Sequence, residues 1–136
     1  MNIFPFNAAP TDQAKTLVIA NDADLAQLAA QNAFADIERI ELQFPAFTDG
    51  RAYSQAVLLR RRYQFRGDIR ATGDVLIDQL VHMHRSGFTS AILAEGINLA
   101  AAQRLFERFS AFYQGDVIEP RPLFARDTAS ITASAT

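Results

Sequence analysis

The chain has 136 residues, of which 49% are hydrophobic and 21% charged, and its formal net charge is −2. This length fits one domain that can bury a hydrophobic core without cross-links, and the acidic balance argues against a nucleic-acid-binding protein. The absence of cysteine excludes disulfides, thiolate metal sites and cysteine nucleophiles.

The two ends of the sequence differ in character from its middle. The first seven residues have neither a basic segment nor a sustained apolar run, which argues against a signal peptide. No apolar stretch is long enough to cross a bilayer, so we expect a cytoplasmic protein without a membrane partner. We assign residues 1–13 to an N-terminal extension, 14–122 to one domain, and the Thr-, Ser- and Ala-rich residues 123–136 to a flexible tail.

Predicted strands and helices alternate along the chain. An apolar run over 16–20 predicts a buried strand, and residues 25–29 have helical spacing behind Asp22 or Asp24 as N-cap. Residues 37–44 alternate apolar and polar side chains, which predicts a second strand. The later predicted elements are a helix over 51–63, a strand over 68–72, a helix from Val75 to about Met83, closed by Gly87, a strand over 88–94, a helix over 99–113 capped by Asn98, and a short edge strand at 117–118.

This order predicts an α/β fold. The chain would form a single domain with a largely parallel sheet of four to five strands flanked by helices. A doubly wound, flavodoxin-like sheet is our first choice, and a half-barrel arrangement is the alternative.

Three turns are predicted at the carboxyl ends of the strands, where parallel sheets bind ligands. They are residues 48–51, 72–74 and 95–96, and each precedes a helix N-terminus, which favours anions. Arg51 could hold an oxyanion through two hydrogen bonds. The Asp49, Asp74 and Glu95 carboxylates could gather a cation, or Asp49 and Asp74 could only cap the helices that follow.

Two further groups of residues are candidates for chemistry or docking. Arg60, Arg61 and Arg62 form a basic run that could dock an acidic partner. Asp78 and His82 are four residues apart and share a helix face, which could pair a base with its orienting group or could simply be solvated. Neither glycine-rich nucleotide loop occurs, so we predict no bound cofactor. His82 and His84 are separated by one residue and would point to different helix faces, so we predict no metal.

Several segments resemble one bacterial family. They are Phe44-Pro-Ala-Phe-Thr-Asp-Gly-Arg-Ala-Tyr-Ser54, Leu58-Leu-Arg60, Gly67-Asp-Ile-Arg-Ala-Thr-Gly-Asp-Val-Leu-Ile-Asp-Gln-Leu80 and Arg85-Ser-Gly-Phe88. Together they are similar to the domain-of-unknown-function family nine-three-four, whose members are commonly labelled oxidoreductases of sulfite reduction. The resemblance covers about half the chain and implies a place in sulfur assimilation beside the sulfite reductase haemoprotein.

The resemblance also selects a set of candidate site residues. The motif maps onto Phe47 and onto ten residues that we take as the candidate ligand-binding set, which is Thr48, Asp49, Gly50, Arg51, Tyr53, Ser54, Gly73, Asp74, Asp78 and Gln79. Three functions stay open: a non-catalytic accessory protein that binds sulfite reductase, a small oxyanion-binding module or enzyme, and a homodimeric scaffold. Whether the chain is an enzyme likewise stays open.

Overall fold

The computed structural model describes residues 1–9, 11–46 and 48–110. The α-helices in this part of the chain are α1 (Leu25–Ala30), α2 (Arg51–Arg61), α3 (Leu80–Ser86) and α4 (Leu99–Ser110), with a 3-10 turn over Ile77–Gln79 before α3. The strands are β1 (Asn2–Phe4), β2 (Thr16–Ile19), β3 (Arg39–Phe44), β4 (Asp68–Gly73) and β5 (Ser90–Ile92).

The five strands form one parallel sheet in the order β1-β5-β4-β3-β2. The predicted α/β fold with a parallel sheet is therefore confirmed. From β2 to β5 each strand is added on the same side of the one before it, without the reversal that defines the flavodoxin-like order. Right-handed crossovers then place the connecting helices on one face, where α3 packs between α2 and α4. This winding is compatible with the half-barrel alternative.

Strand β1 lies inside the segment that we assigned to an N-terminal extension. Ile3 is aligned with Ala91 of β5 and is buried, so this part of the extension belongs to the sheet. Three residues between Met1 and Pro5 are too few to show a strand periodicity. The strand forms because the edge of β5 supplies hydrogen-bond partners that the local sequence does not reveal.

The hydrophobic core lies between the helices and one face of the sheet. Ile40, Leu42 and Phe44 of β3 point to this face and are fully buried, as the alternation predicts. The register places Ile69 beside Ile40 and Ala71 beside Leu42, so the apolar face is continuous across neighbouring strands. Burial of this face supplies the main free energy of folding.

The opposite face of the sheet has a cluster of paired charges. Arg39 donates to Asp12 at 2.7 Å and to Asp68 at 2.8 Å, and its side chain is only 12% exposed. Arg70 is buried, donates to Ser90 at 3.0 Å, and stacks over the Phe4 ring at 5.0 Å. Burial alone would raise the pKa of Asp68, but hydrogen bonds from Thr89 and Arg39 outweigh it and lower that pKa.

The observed helix boundaries can be compared with the predicted helix starts and ends. The caps predicted at Asp24 and Asn98 are present, since their side chains accept from the amides of Gln27 and Ala101. Helix α2 ends two residues earlier than predicted, because Gln64 takes a φ of 57° and turns the chain away. The helix predicted from Val75 starts as the 3-10 turn and becomes α-helical only at Leu80.

Some of the predicted elements involve residues that the structure does not describe. The last three residues of the predicted fourth helix, the edge strand at 117–118 and the tail over 123–136 lie outside the described residues. Across the part of the chain that the structure does describe, no helix combines the length and the apolar character needed to cross a membrane.

Candidate functional site

The carboxyl ends of β2 and β3 bring three polar side chains together. Asp49 precedes α2 and accepts the backbone N–H of Arg51 at 3.0 Å, while the N-cap position itself is Gly50, which has no side chain. Asn21, from the turn after β2, donates its side-chain amide to Asp49. Asp49 thus accepts a hydrogen bond from the first turn of α2, as predicted for a cap, but it lies one residue before the N-cap position. Through Asn21 it also links the ends of β2 and β3.

Arg51 and Asp49 neutralise each other. The guanidinium donates through Nε at 3.1 Å and through Nη2 at 2.7 Å to the two carboxylate oxygens. Hydrogen bonds from Arg51 lower the pKa of Asp49 to about 2, so the carboxylate is charged at neutral pH. The Arg51 side chain is 62% exposed and that of Asp49 only 17%, so the positive group faces solvent over a mostly covered anion.

Tyr53 of α2 lies among aromatic rings rather than beside Arg51. Its ring centroid is 5.1 Å from that of Phe44, 6.5 Å from that of Phe88 and 4.1 Å from that of His82. Burial, and to a smaller extent the charge of Asp78, raises the pKa of Tyr53 to about 12. The phenol therefore stays protonated, and its main role in this structure is to join β3, α2 and α3.

The backbone conformation at the end of β4 requires a glycine. Gly73 has a φ of 95°, and the next residue, Asp74, donates its N–H to the Phe44 carbonyl at 2.8 Å. Further along, the side-chain oxygen of Gln79 accepts the Leu76 N–H at 3.3 Å. Gln79 thus fastens the start of the 3-10 turn that leads into α3, which is a structural role for a predicted ligand residue.

A groove of about 300 Å³ lies between α4 and the segment made by the 3-10 turn and α3. Asp78, His82 and Arg85 supply its polar wall, and Asp78 and His82 are both exposed. The apolar lining is Ile77, Val81, Leu105 and Phe109. The shared face that we predicted for Asp78 and His82 is present and borders this groove.

The predicted ligand residues lie at more than one place on the structure. Asp49 and Arg51 lie at the ends of β2 and β3, whereas Asp78 borders the groove beside α4. Thr48, Gly50 and Ser54 are exposed near the start of α2. Phe47 lies outside the described residues.

Gln55 is a buried polar residue that the sequence analysis missed. It is 6% exposed and donates its side-chain amide to the Ala20 carbonyl at 2.9 Å, which ties α2 to the end of β2. Its side-chain oxygen has no hydrogen-bond partner among the described residues. The available signal was a glutamine three residues after Ala52, inside the apolar stripe of α2.

The three arginines of the basic run differ in environment. Arg60 points inward and donates to the carbonyls of Phe65 at 3.0 Å, Gly67 at 2.7 Å and Gly87 at 3.0 Å. Burial lowers the pKa of Arg60 to about 10. Arg61 and Arg62 are exposed at the end of α2. Of the three residues that we proposed for docking, only these two present their charge to solvent.

No group of three or more histidine, aspartate or glutamate side chains within residues 1–9, 11–46 and 48–110 could hold a metal ion. Comparison with curated proteins and with solved structures gave no match to this chain. Comparison with protein families gave a match over residues 16–124, to the family described as bacterial proteins of unknown function, DUF934. This match extends the similarity of the motif segments to most of the domain. The chain therefore belongs to the DUF934 family of bacterial proteins.

Proposed function

We propose that this chain is a non-catalytic accessory protein of assimilatory sulfite reduction that docks on the sulfite reductase haemoprotein. The pathway and the partner come from the family resemblance of the motif segments. The structural support is an exposed basic patch, formed by Arg61, Arg62 and Arg66 at and just beyond the end of α2.

The basic patch has a charge opposite to that of the chain. The net charge of the whole sequence is −2, yet these three arginines are neighbours in sequence, and none of them forms an ion pair within the described residues. Arg60 lies beneath them and is engaged by backbone carbonyls. A local positive patch of this kind steers association with an acidic surface and weakens with salt.

Co-elution with the sulfite reductase haemoprotein of the same organism tests this function. We expect a complex at low salt that dissociates at high salt, because exposed charges are screened. The double variant Arg61→Glu/Arg62→Glu should abolish the complex. The matched control is Arg104→Glu/Arg108→Glu on α4, which changes the net charge equally. Separate elution of the unaltered proteins at low salt, or an equal effect of both double variants, would contradict the proposal.

The exposed guanidinium of Arg51 supports a second candidate, an oxyanion-binding module at the strand ends. An anion there would have to compete with Asp49, which already takes two hydrogen bonds from Arg51. This competition is why we rank the module second. If it is correct, sulfite or sulfate should raise the melting temperature, and Arg51→Ala should remove that shift. A shift that persists in Arg51→Ala would exclude this site.

A further inference from the structure

Strand β2 leaves one edge of the sheet open. No other strand of the described residues pairs with its outer side, whereas the opposite edge strand, β1, is contacted by α4. The four residues Thr16–Ile19 contain no charge, proline or glycine, which are the devices that usually protect an edge strand from pairing. Val18 is 52% exposed, more than any other large hydrophobic residue described.

The ladder to β3 fixes which backbone groups of β2 face outward. The Lys15 carbonyl accepts the Arg39 N–H at 3.0 Å, and Thr16 is aligned with Arg39 in a parallel register. In such a ladder alternate residues bond to the neighbour, so Lys15 and Leu17 bond to β3. The N–H and C=O groups of Thr16 and Val18 therefore point away from the sheet.

We propose that β2 pairs with β2 of a second copy of this chain, antiparallel and centred on Val18. A two-fold axis normal to the sheet continues each face of one copy's sheet into the same face of the other copy's sheet. Residues that lie opposite each other across the new pairing must therefore have their side chains on the same face. With Val18 opposite Val18, these two residues exchange two hydrogen bonds across the axis. The outward C=O of Thr16 then meets the N–H of Ala20 of the second copy, and the two exposed valines form an apolar cross-strand pair.

Charges at the two ends of β2 support this occupant. Lys15 precedes the strand, Asp22 follows it, and both are exposed. The antiparallel register brings Lys15 of each copy to the end of the other copy's β2, where the turn that carries Asp22 follows. A second copy therefore meets opposite charges at both ends of the paired strands. This contact is short compared with the interfaces of permanent dimers, so the dimer should be in reversible equilibrium with the monomer.

Sedimentation equilibrium from micromolar to millimolar protein tests the pairing. We expect the weight-average mass to rise from that of the monomer towards twice that value. Val18→Pro should hold the protein monomeric, because it removes an outward N–H and no bond to β3. Val18→Thr keeps that N–H and a β-branched side chain, so it should still associate. A monomer at all concentrations, or a dimer that Val18→Pro leaves intact, would overturn the proposal.

A charge exchange tests the register without altering the backbone. Lys15→Asp and Asp22→Lys should each weaken association, since like charges then meet at both ends. An equimolar mixture of the two variants should restore it, because every end contact in the mixed dimer again joins opposite charges. The circular dichroism spectrum of each variant shows whether it is folded. A mixture that associates no more strongly than its components would exclude this register.

Discussion

Replacement of Gly73 by alanine should separate two costs that usually occur together. Gly73 has a φ of 95°, and a Cβ built on it would lie 2.4 Å from the Phe44 carbonyl oxygen on the neighbouring strand. Gly96 has a similar φ of 85°, but its Cβ would meet nothing within 4 Å. Gly73→Ala and Gly96→Ala thus share the left-handed backbone and differ in the close approach.

The expected magnitudes follow from these contacts. A side chain in the left-handed region costs roughly 1–2 kcal/mol, which applies to both variants. At Gly73 the end of β4 must also move away from Phe44, and this motion breaks the hydrogen bond from Asp74 to the Phe44 carbonyl. A broken hydrogen bond with a buried group left unsatisfied adds about 1–3 kcal/mol. We therefore expect Gly73→Ala to lose about 2–5 kcal/mol and Gly96→Ala about 1–2 kcal/mol.

Urea unfolding followed by circular dichroism measures this difference. The free energies of unfolding of the two variants and the unaltered protein are compared by linear extrapolation, with the slopes checked for equality. If the Gly73→Ala protein shows no cooperative unfolding transition, its loss of stability is larger than predicted but in the predicted direction. Equal losses in the two variants would refute the claim that contact between β4 and β3 requires a glycine at this position.

Two further predictions concern partly buried basic groups. Burial lowers the pKa of His84 to about 4, so between about pH 6.5 and 4 the unfolded chain takes up a proton that the native protein does not, and stability should fall through this window by about 3 kcal/mol. Urea unfolding across this pH range should show a flatter dependence in His84→Gln, and an unchanged profile in this variant would contradict the assignment. Arg60→Met should destabilise the protein by about 3 kcal/mol, because three carbonyls lose their donor, whereas Arg61→Met should cost less than about 0.5 kcal/mol. Similar melting temperatures for the two arginine variants would show that the inward contacts of Arg60 contribute little.

Local signals in the sequence account for most of the elements. The alternation over β3 correctly predicts which of its side chains enter the core, because a strand with one buried face must place apolar residues at every second position. Asn98 and Gly87 mark a helix start and a helix end because they satisfy backbone groups within a few residues of themselves. Information of this kind is contained in neighbouring residues and is readable without the fold.

Features that depend on distant partners were not predictable in the same way. Arg60 and Arg61 are adjacent and chemically identical, yet one turns inward to carbonyls of two other segments and the other faces solvent. Similarly, the pairing of Arg39 with Asp12 and Asp68 joins residues more than 25 positions apart. The strand-end rule located Asp49 and Arg51 correctly as neighbours, but it could not show that they would neutralise each other.

The residues of the family motif fall into two groups, those with a structural role and those that are exposed. Gly73 is required by a backbone contact, Tyr53 by ring packing and Gln79 by the 3-10 turn, so substitutions at these positions disturb the fold before they report on binding. Thr48 and Ser54 are exposed, and neither is used in these contacts. Exposed motif residues contribute little to the hydrophobic core, so replacing them should not disturb the fold. They are therefore the more informative targets for binding experiments. Thr48→Ala and Ser54→Ala can therefore probe recognition of a partner or ligand with the fold left intact.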